Sequence, residues 1–250
     1  MMNNLQATLL FPVRDADARK QWLIASAVML ASFIIPILPM LVVMGYGVKI
    51  MRQVIDEGRE PTMPEWQSND LGALLQDGFR LWAVRLVYTL PLMLLMGCGF
   101  IAMFSGTGLL AASSDSNIPP ALGGLAMVAG MGFIMLISIL ALPLSIILGA
   151  VESHAVAQGT FQAAFDVKGW WQIFRKSLAQ FLLSYLVAMA ASMVLTIVLQ
   201  IAMMTIVLMC LFPFLMAGYA AYLMLVMNTL FAQAYAAGRA ALQTESHASA

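Results

Sequence analysis

Residues 45–91 read GYGVKIMRQVIDEGREPTMPEWQSNDLGALLQDGFRLWAVRLVYTLP. No longer piece of the chain is both polar and patterned, and long apolar runs flank it on each side. It carries Lys49, Arg52, Asp56, Glu57, Arg59, Glu60, Glu65, Asp70, Asp77, Arg80 and Arg85, in a chain with only 12 basic and 12 acidic residues. Val48, Met51 and Ile55 fall at helical spacing, with Lys49, Arg52, Gln53 and Asp56 between them, which predicts a short amphipathic helix. Gly58 is its natural stop, because glycine enters the left-handed region cheaply. Pro61 and Pro64 keep the chain from resuming a helix at once, so an elbow follows. A second amphipathic helix is expected over 70–82, where Leu71, Leu74, Leu75, Gly78, Phe79 and Trp82 make one stripe and Asn69 or Asp70 can cap the N-terminus. Such a helix beside an apolar run is expected to lie in the headgroup plane with its stripe down; the competing reading packs the stripe on the protein's own helices.

The composition around this stretch sets the class. Of 250 residues, 62% are hydrophobic and 10% charged, against about 25% charged in a soluble domain. Residues 21–48, 86–114, 116–151 and 177–238 hold no Asp, Glu, Lys or Arg. Each exceeds the ~18–20 residues that signal a bilayer span. The expectation is therefore an all-α, polytopic integral membrane protein. It has four full transmembrane helices, a proline-broken first segment, and two amphipathic interfacial helices on the cytoplasmic side, over 70–82 and 160–176. A single helical membrane domain is expected over 1–240, with apolar segments at 23–48, 83–104, 125–151, 178–200 and 207–237 and a disordered tail at 241–250. Net charge is zero, which gives no reason to expect nucleic acid. Cys98 and Cys210 sit inside apolar runs with no metal-ligand spacing, and the 21 methionines are spread through nearly every span as gap-fillers.

The first apolar run, Leu23 to Val48, admits two readings. As one straight helix it would be about 39 Å long, enough to cross. Pro36 and Pro39 divide it into halves too short to span alone. Arg14, Arg19 and Lys20 precede it and Lys49, Arg52 and Arg59 follow it. Since basic residues collect on the cytoplasmic side, charge favours a hairpin that dips in and returns; a kinked fifth span is the competitor. The run from Ala83 to Phe104 is a clear span, with Arg85 in its first turn snorkelling to the headgroups and Pro91 expected to kink it. Residues 105–124 read as an outer loop, having Asp115 and no Lys or Arg. Leu125 to Val151 crosses back, and Glu152 and His154 follow at its end. A Glu-x-His pair invites a metal or proton-relay reading, but i and i+2 do not share a helix face and no third ligand is near in sequence.

The segment 160–176 resembles 70–82 in its aromatic face and its place before a span, so a repeated unit of interfacial helix, span, outer turn and span is a candidate. From 177 to 238 two spans are expected around a short outer turn within 200–212. Ser184, Ala188, Ser192, Thr196 and Gln200 recur every fourth residue as a helix–helix contact stripe, with Ala217, Gly218 and Ala221 as its match on the last helix. Asn228, deep in that helix, is expected to hydrogen-bond across helices. On this arrangement all 12 Lys and Arg lie at the cytoplasmic side or its interface.

Gly45-Tyr46, then Arg52, Val54-Ile55, Gly58, Pro64-Glu65-Trp66, Asp77-Gly78 and Tyr88-x-x-Pro91 resemble the signature of the prokaryotic integral membrane family called domain of unknown function 4013, with Met63 where that pattern carries Leu and a slightly longer elbow. The resemblance implies a multi-pass architecture and a location in the cytoplasmic (inner) membrane; the absence of basic residues from 105–124 predicts that both termini are cytoplasmic. It implies no reaction. Gly45, Tyr46, Arg52, Pro64, Glu65, Trp66, Asp77, Gly78, Arg85, Tyr88 and Pro91 are the structural or partner-facing candidates. Among them Pro64-Glu65-Trp66 is expected to lock the elbow, with Glu65 pairing to Lys49, Arg52 or Arg59.

Three classes of function compete. A non-enzymatic scaffold, assembly partner or membrane organiser is favoured by the two aromatic, amphipathic segments on one side. A small transporter or channel subunit is the alternative, supported by the broken first segment and the polar stripe, yet no ionisable group lies at mid-membrane where transporters carry them. A lipid-acting enzyme needs a nucleophile or metal cluster, and neither GxSxG nor an intramembrane acidic cluster is found. No catalytic residue, cofactor or metal is expected; the lipid bilayer and a membrane-protein partner or homo-oligomer are.

Overall fold

The computed structural model describes residues 2–67, 70–113, 119–204 and 211–248. Among them every regular element is helical: α1 (Met2–Leu10), α2 (Ala16–Leu30), α3 (Leu38–Asp56), α4 (Leu71–Ala112), α5 (Pro120–Gln158), α6 (Val167–Lys176), α7 (Leu178–Met203) and α8 (Phe212–Ala248), with short 3-10 turns at Phe11–Val13, Ala31–Phe33 and Gln162–Phe165. Five helices, α3, α4, α5, α7 and α8, are long and apolar enough to cross a membrane. The chain divides into two compact units, Met1–Val84 with Gly149–Ala250, and Arg85–Leu148.

In the first unit the proline-broken segment folds back on itself. Asp15 caps α2 by accepting from the Ala18 amide, and α2 unwinds through Ala31–Phe33. Pro39 sits in the opening turn of α3, where its missing N–H costs nothing. Ala25 of α2 shares a buried cluster with Val43 of α3, and Gln21, one turn earlier, reaches Trp66, which stacks on Tyr46, one turn later. The two helices are therefore antiparallel. The expected short halves need correction. The apolar half after Pro39 and the amphipathic turn around Val48–Ile55 form one 19-residue helix, because nothing between them breaks the hydrogen-bond ladder. It ends where expected: Gly58 has φ +60.

The helix expected over 70–82 is likewise not a separate piece. It is the opening of α4, which runs 42 residues and continues through Pro91. Only part of its stripe is buried: Leu74 and Gly78 are covered, Leu75 and Trp82 half-buried, and Leu71 and Phe79 exposed, while Leu81, outside the stripe, is buried as well. The covered face meets α3. A Cβ at Gly45 would fall on the Leu74 carbonyl and one at Gly78 on the Leu41 carbonyl, so the two backbones touch where both residues lack side chains. Phe11, Tyr46, Ile50, Leu74, Ala188, Leu225, Val226 and Leu230 form the main core cluster, gathered around α8.

The stripe on α7 is a contact with α8 at three of its members. Ser184 donates to the Leu230 carbonyl, Ala188 is 3% exposed, and the Thr196 and Tyr219 hydroxyls are 3.0 Å apart. Ser192 bonds its own helix at Met189, and Gln200 is exposed. The small patch on α8 serves a different partner: Gly218 lies against Trp22 and Ser26, and Ala221 against Ala25, so α2 and not α7 occupies it. Small residues invite a close helix without naming which one. Asn228 lies against Gly47, but its Nδ2 finds no hydrogen-bond partner among the described residues, contrary to expectation. Glycine there makes room and supplies no acceptor.

The segment 160–176 has its own helix, α6, broken from α7 at Ser177, where ψ is 22. Since α4 has no such break, the two proposed halves of a repeat differ at their start. Helix α8 continues to Ala248, through most of the segment expected as a tail. Asn69 as a cap, Asp115 and residues 205–210 of the 200–212 turn lie outside the described residues.

The second unit consists of the facing stretches of α4 and α5. They cross twice at paired glycines: a Cβ on Gly106 would lie 2.7 Å from the Gly123 carbonyl oxygen, and one on Gly130 would lie 2.8 Å from that of Gly99. The expected loop over 105–124 is correspondingly shorter, since helix extends to Ala112 and resumes at Pro120.

Candidate functional site: the aromatic and ionic collar

The polar residues of 45–80 converge with the chain ends of the first unit. Tyr46 and Trp66 stack face to face, centroids 4.3 Å apart and planes 7° from parallel. The Tyr46 hydroxyl donates to the Pro64 carbonyl. The Trp66 amide and indole Nε1 donate to the Gln21 side-chain and backbone oxygens, both at 3.2 Å. Pro64 sets the direction of the chain so that Trp66 can turn back onto α3, and the elbow is pinned to both arms of the α2–α3 hairpin.

One turn further along α3, the ion pairs begin. Lys49 Nζ lies 2.9 Å from Asp70. Arg52 grips Asp77 with two parallel hydrogen bonds of 2.6 and 2.8 Å, the fork geometry that makes such pairs strong. Arg80 stands 3.6 Å from the same carboxylate and donates to the Gly159 carbonyl at the end of α5. Arg14 meets Glu60, Arg59 meets Glu57, and Arg239 on α8 meets Asp56. The space enclosed by Val48, Arg52, Asp77, Arg80, Leu81, Ala155 and Val156 is about 10 Å³. That admits one water at most.

Glu65 is exposed and forms no ion pair among the described residues. The bases expected to bind it are taken by Asp70, Asp77 and Glu57. Asp70 and Asp77 sit on α4, whose first turns run beside α3, whereas the elbow carries Glu65 away from it. Of the other candidates, Gly45, Tyr46, Arg52, Pro64, Trp66, Asp77 and Gly78 are brought together here; Arg85, Tyr88 and Pro91 fall in the second unit.

Sequence reasoning missed Gln21, the Gly159 carbonyl and the partners of His154. Gln21 has no periodicity or charge to mark it. The Gly159 carbonyl is backbone. His154, at the end of α5, places Nδ1 2.8 Å from the Tyr235 hydroxyl and Nε2 3.8 Å from Asp166, which caps α6. Both Glu152 and His154 are buried. Among the described residues no group of three or more His, Cys, Asp or Glu could hold a metal ion.

An all-helical chain with five membrane-capable helices, knitted at one level by a proline-aromatic elbow and a row of ion pairs, defines the class. The family model described as "Protein of unknown function (DUF4013)" matches residues 28–208, and the chain belongs to that family. No curated protein and no solved structure matches it.

Proposed function

We propose that the protein is a non-enzymatic, multi-pass protein of the cytoplasmic membrane that acts as a scaffold or assembly partner. Both termini and the collar face the cytoplasm, and residues 16–56 enter and leave the bilayer on that same side. The observation that carries this reading is the closed collar. At its centre Lys49, Arg52 and Arg80 are spent on Asp70 and Asp77, and the void beside Arg52, Asp77 and Arg80 is about 10 Å³, which leaves no room for a substrate between these charges. The charge-free runs 86–114, 116–151 and 177–238 supply no ionisable group at mid-bilayer for a relay or ion path. A rigid frame whose polar groups are internally matched suits holding a partner in place.

The full-length chain purified in mild detergent is expected to retain a membrane-protein partner, or a second copy of itself, at fixed stoichiometry. Reconstituted alone into proteoliposomes, it is expected to pass no solute above the protein-free leak. Solute uptake by the chain alone contradicts the proposal. So does a Glu65→Gln variant that inserts and folds normally yet loses the cellular phenotype.

A further inference from the structure

Every basic residue between 49 and 80 has a carboxylate partner, but the bases of α6 do not all have one. Its inner face is fixed: Trp170, Ile173 and Phe174 are buried, Gly238 of α8 leaves the room that Ile173 fills, and Phe174 contacts Phe181 of α7 at 5.4 Å. The other side carries exposed Trp171 and Val167, followed by exposed Leu178. Lys168 and Arg175 rise beside them, both exposed and with no ion pair among the described residues. Lys176 is tied to Glu245 at 2.6 Å and so anchors the last turns of α8 against α6. Between them opens a cleft of about 330 Å³ lined by Trp171, Gln172, Arg175, Lys176 and Leu242.

We infer that this cleft is a binding site for the anionic headgroup of a phospholipid, with Arg175 of its lining supplying the charge, Lys168 a second exposed cation two turns earlier on α6, and Trp171 the amphipathic wall. The inference rests on the membrane reading above. Leu178 opens a charge-free apolar helix of 26 residues. Arg175 and Lys176 precede it by two or three residues, across the break at Ser177, which keeps their cations beside the end of that apolar helix, at the depth of the lipid phosphates. Tryptophan beside unpaired basic residues is the arrangement that favours this depth, since its ring is apolar and its N–H needs a polar neighbour. Charge complementarity selects an anionic lipid over a zwitterionic one, and the exposed apolar residues at the edge of the cleft select a lipid over a soluble anion.

The test is native mass spectrometry of the full-length chain in mixed micelles holding equal amounts of phosphatidylglycerol and phosphatidylcholine. The wild type is expected to retain phosphatidylglycerol preferentially. Lys168→Gln and Arg175→Gln are each expected to reduce that preference about fivefold, the effect of one basic residue at an anionic surface. Arg19→Gln, an exposed position on α2 outside both the collar pairs and the cleft lining, leaves it unchanged. Both α6 variants replace exposed side chains, and an unaltered melting temperature in detergent verifies that they fold. Equal retention of the two lipids by the wild type overturns the inference, as does a preference that survives both substitutions. Displacement of the lipid by millimolar inorganic phosphate, or an acidic protein bound in its place, also overturns it. Carbonate extraction separates the two levels: a chain that stays in the membrane without lipid preference sinks only this inference, whereas one that leaves the membrane sinks the membrane reading itself.

Discussion

Trp66 holds the elbow by three means at once: a stacked ring, an indole hydrogen bond and a backbone hydrogen bond. Truncating a buried aromatic costs about 3–5 kcal/mol, and Trp66 keeps a partly exposed edge, so Trp66→Ala is expected to destabilise the protein by about 3 kcal/mol. Trp66→Phe retains the stack and loses only the Nε1 bond to Gln21, for about 1 kcal/mol. Glu65→Gln is expected to leave the melting temperature in detergent unchanged. Arg52 and Asp77 lie between the exposed and buried extremes, with side chains 38% and 17% exposed. Exposed pairs contribute ~0.2–1 kcal/mol and breaking a buried one costs ~3–5 kcal/mol, so a double-mutant cycle on Arg52→Ala and Asp77→Ala should give a coupling of about 2 kcal/mol. A coupling near zero would mean that Arg80 replaces Arg52 on the carboxylate.

At the scale of elements, the tightest joint is the crossing of α3 and α4 at Gly45 and Gly78. A methyl group at Gly78 meets the Leu41 backbone, which cannot rotate away, so Gly78→Ala is expected to lower stability by at least the ~1–3 kcal/mol of an overpacked core. Ala188→Leu on α7 should cost a similar amount, whereas Val194→Leu, at a position 61% exposed, should be neutral. Equal effects at 188 and 194 on detergent thermal stability would remove α7 from the interface with α8. These joints also mark how far sequence carries. Gly45 and Gly78, Tyr46 and Trp66, and Arg52 and Asp77 all stand out in the chain's own pattern, and each turns out to meet the other. What the pattern lacked was direction. Glu65 lies near three bases in sequence, but the elbow separates it from them, while Asp70 and Asp77 return alongside α3 on a helix. The small patch at Ala217–Ala221 invited a close helix, and whether α2 or α7 fills it depends on the hairpin, which no local periodicity encodes. Helix boundaries failed for a related reason. The breaks expected between amphipathic turn and span rest on a change of polarity, and a helix ladder is indifferent to polarity unless a proline, glycine or cap interrupts it.

At the scale of the whole chain, the account stands on residues 16–56 forming a hairpin that enters and leaves on the cytoplasmic side. The 12 basic residues then share one side of the bilayer. The direct measurement uses single cysteines at Asp17, Glu60 and Ser113, in a background lacking Cys98 and Cys210, labelled with a membrane-impermeant maleimide. Asp17 lies in the first turn of the hairpin and Glu60 just after its end, and both are exposed. Both are expected to stay unlabelled in intact cells and to react once the cells are lysed, while Ser113 reacts in intact cells. Labelling of Asp17 and Glu60 from opposite sides would establish a full crossing between them and contradict the hairpin.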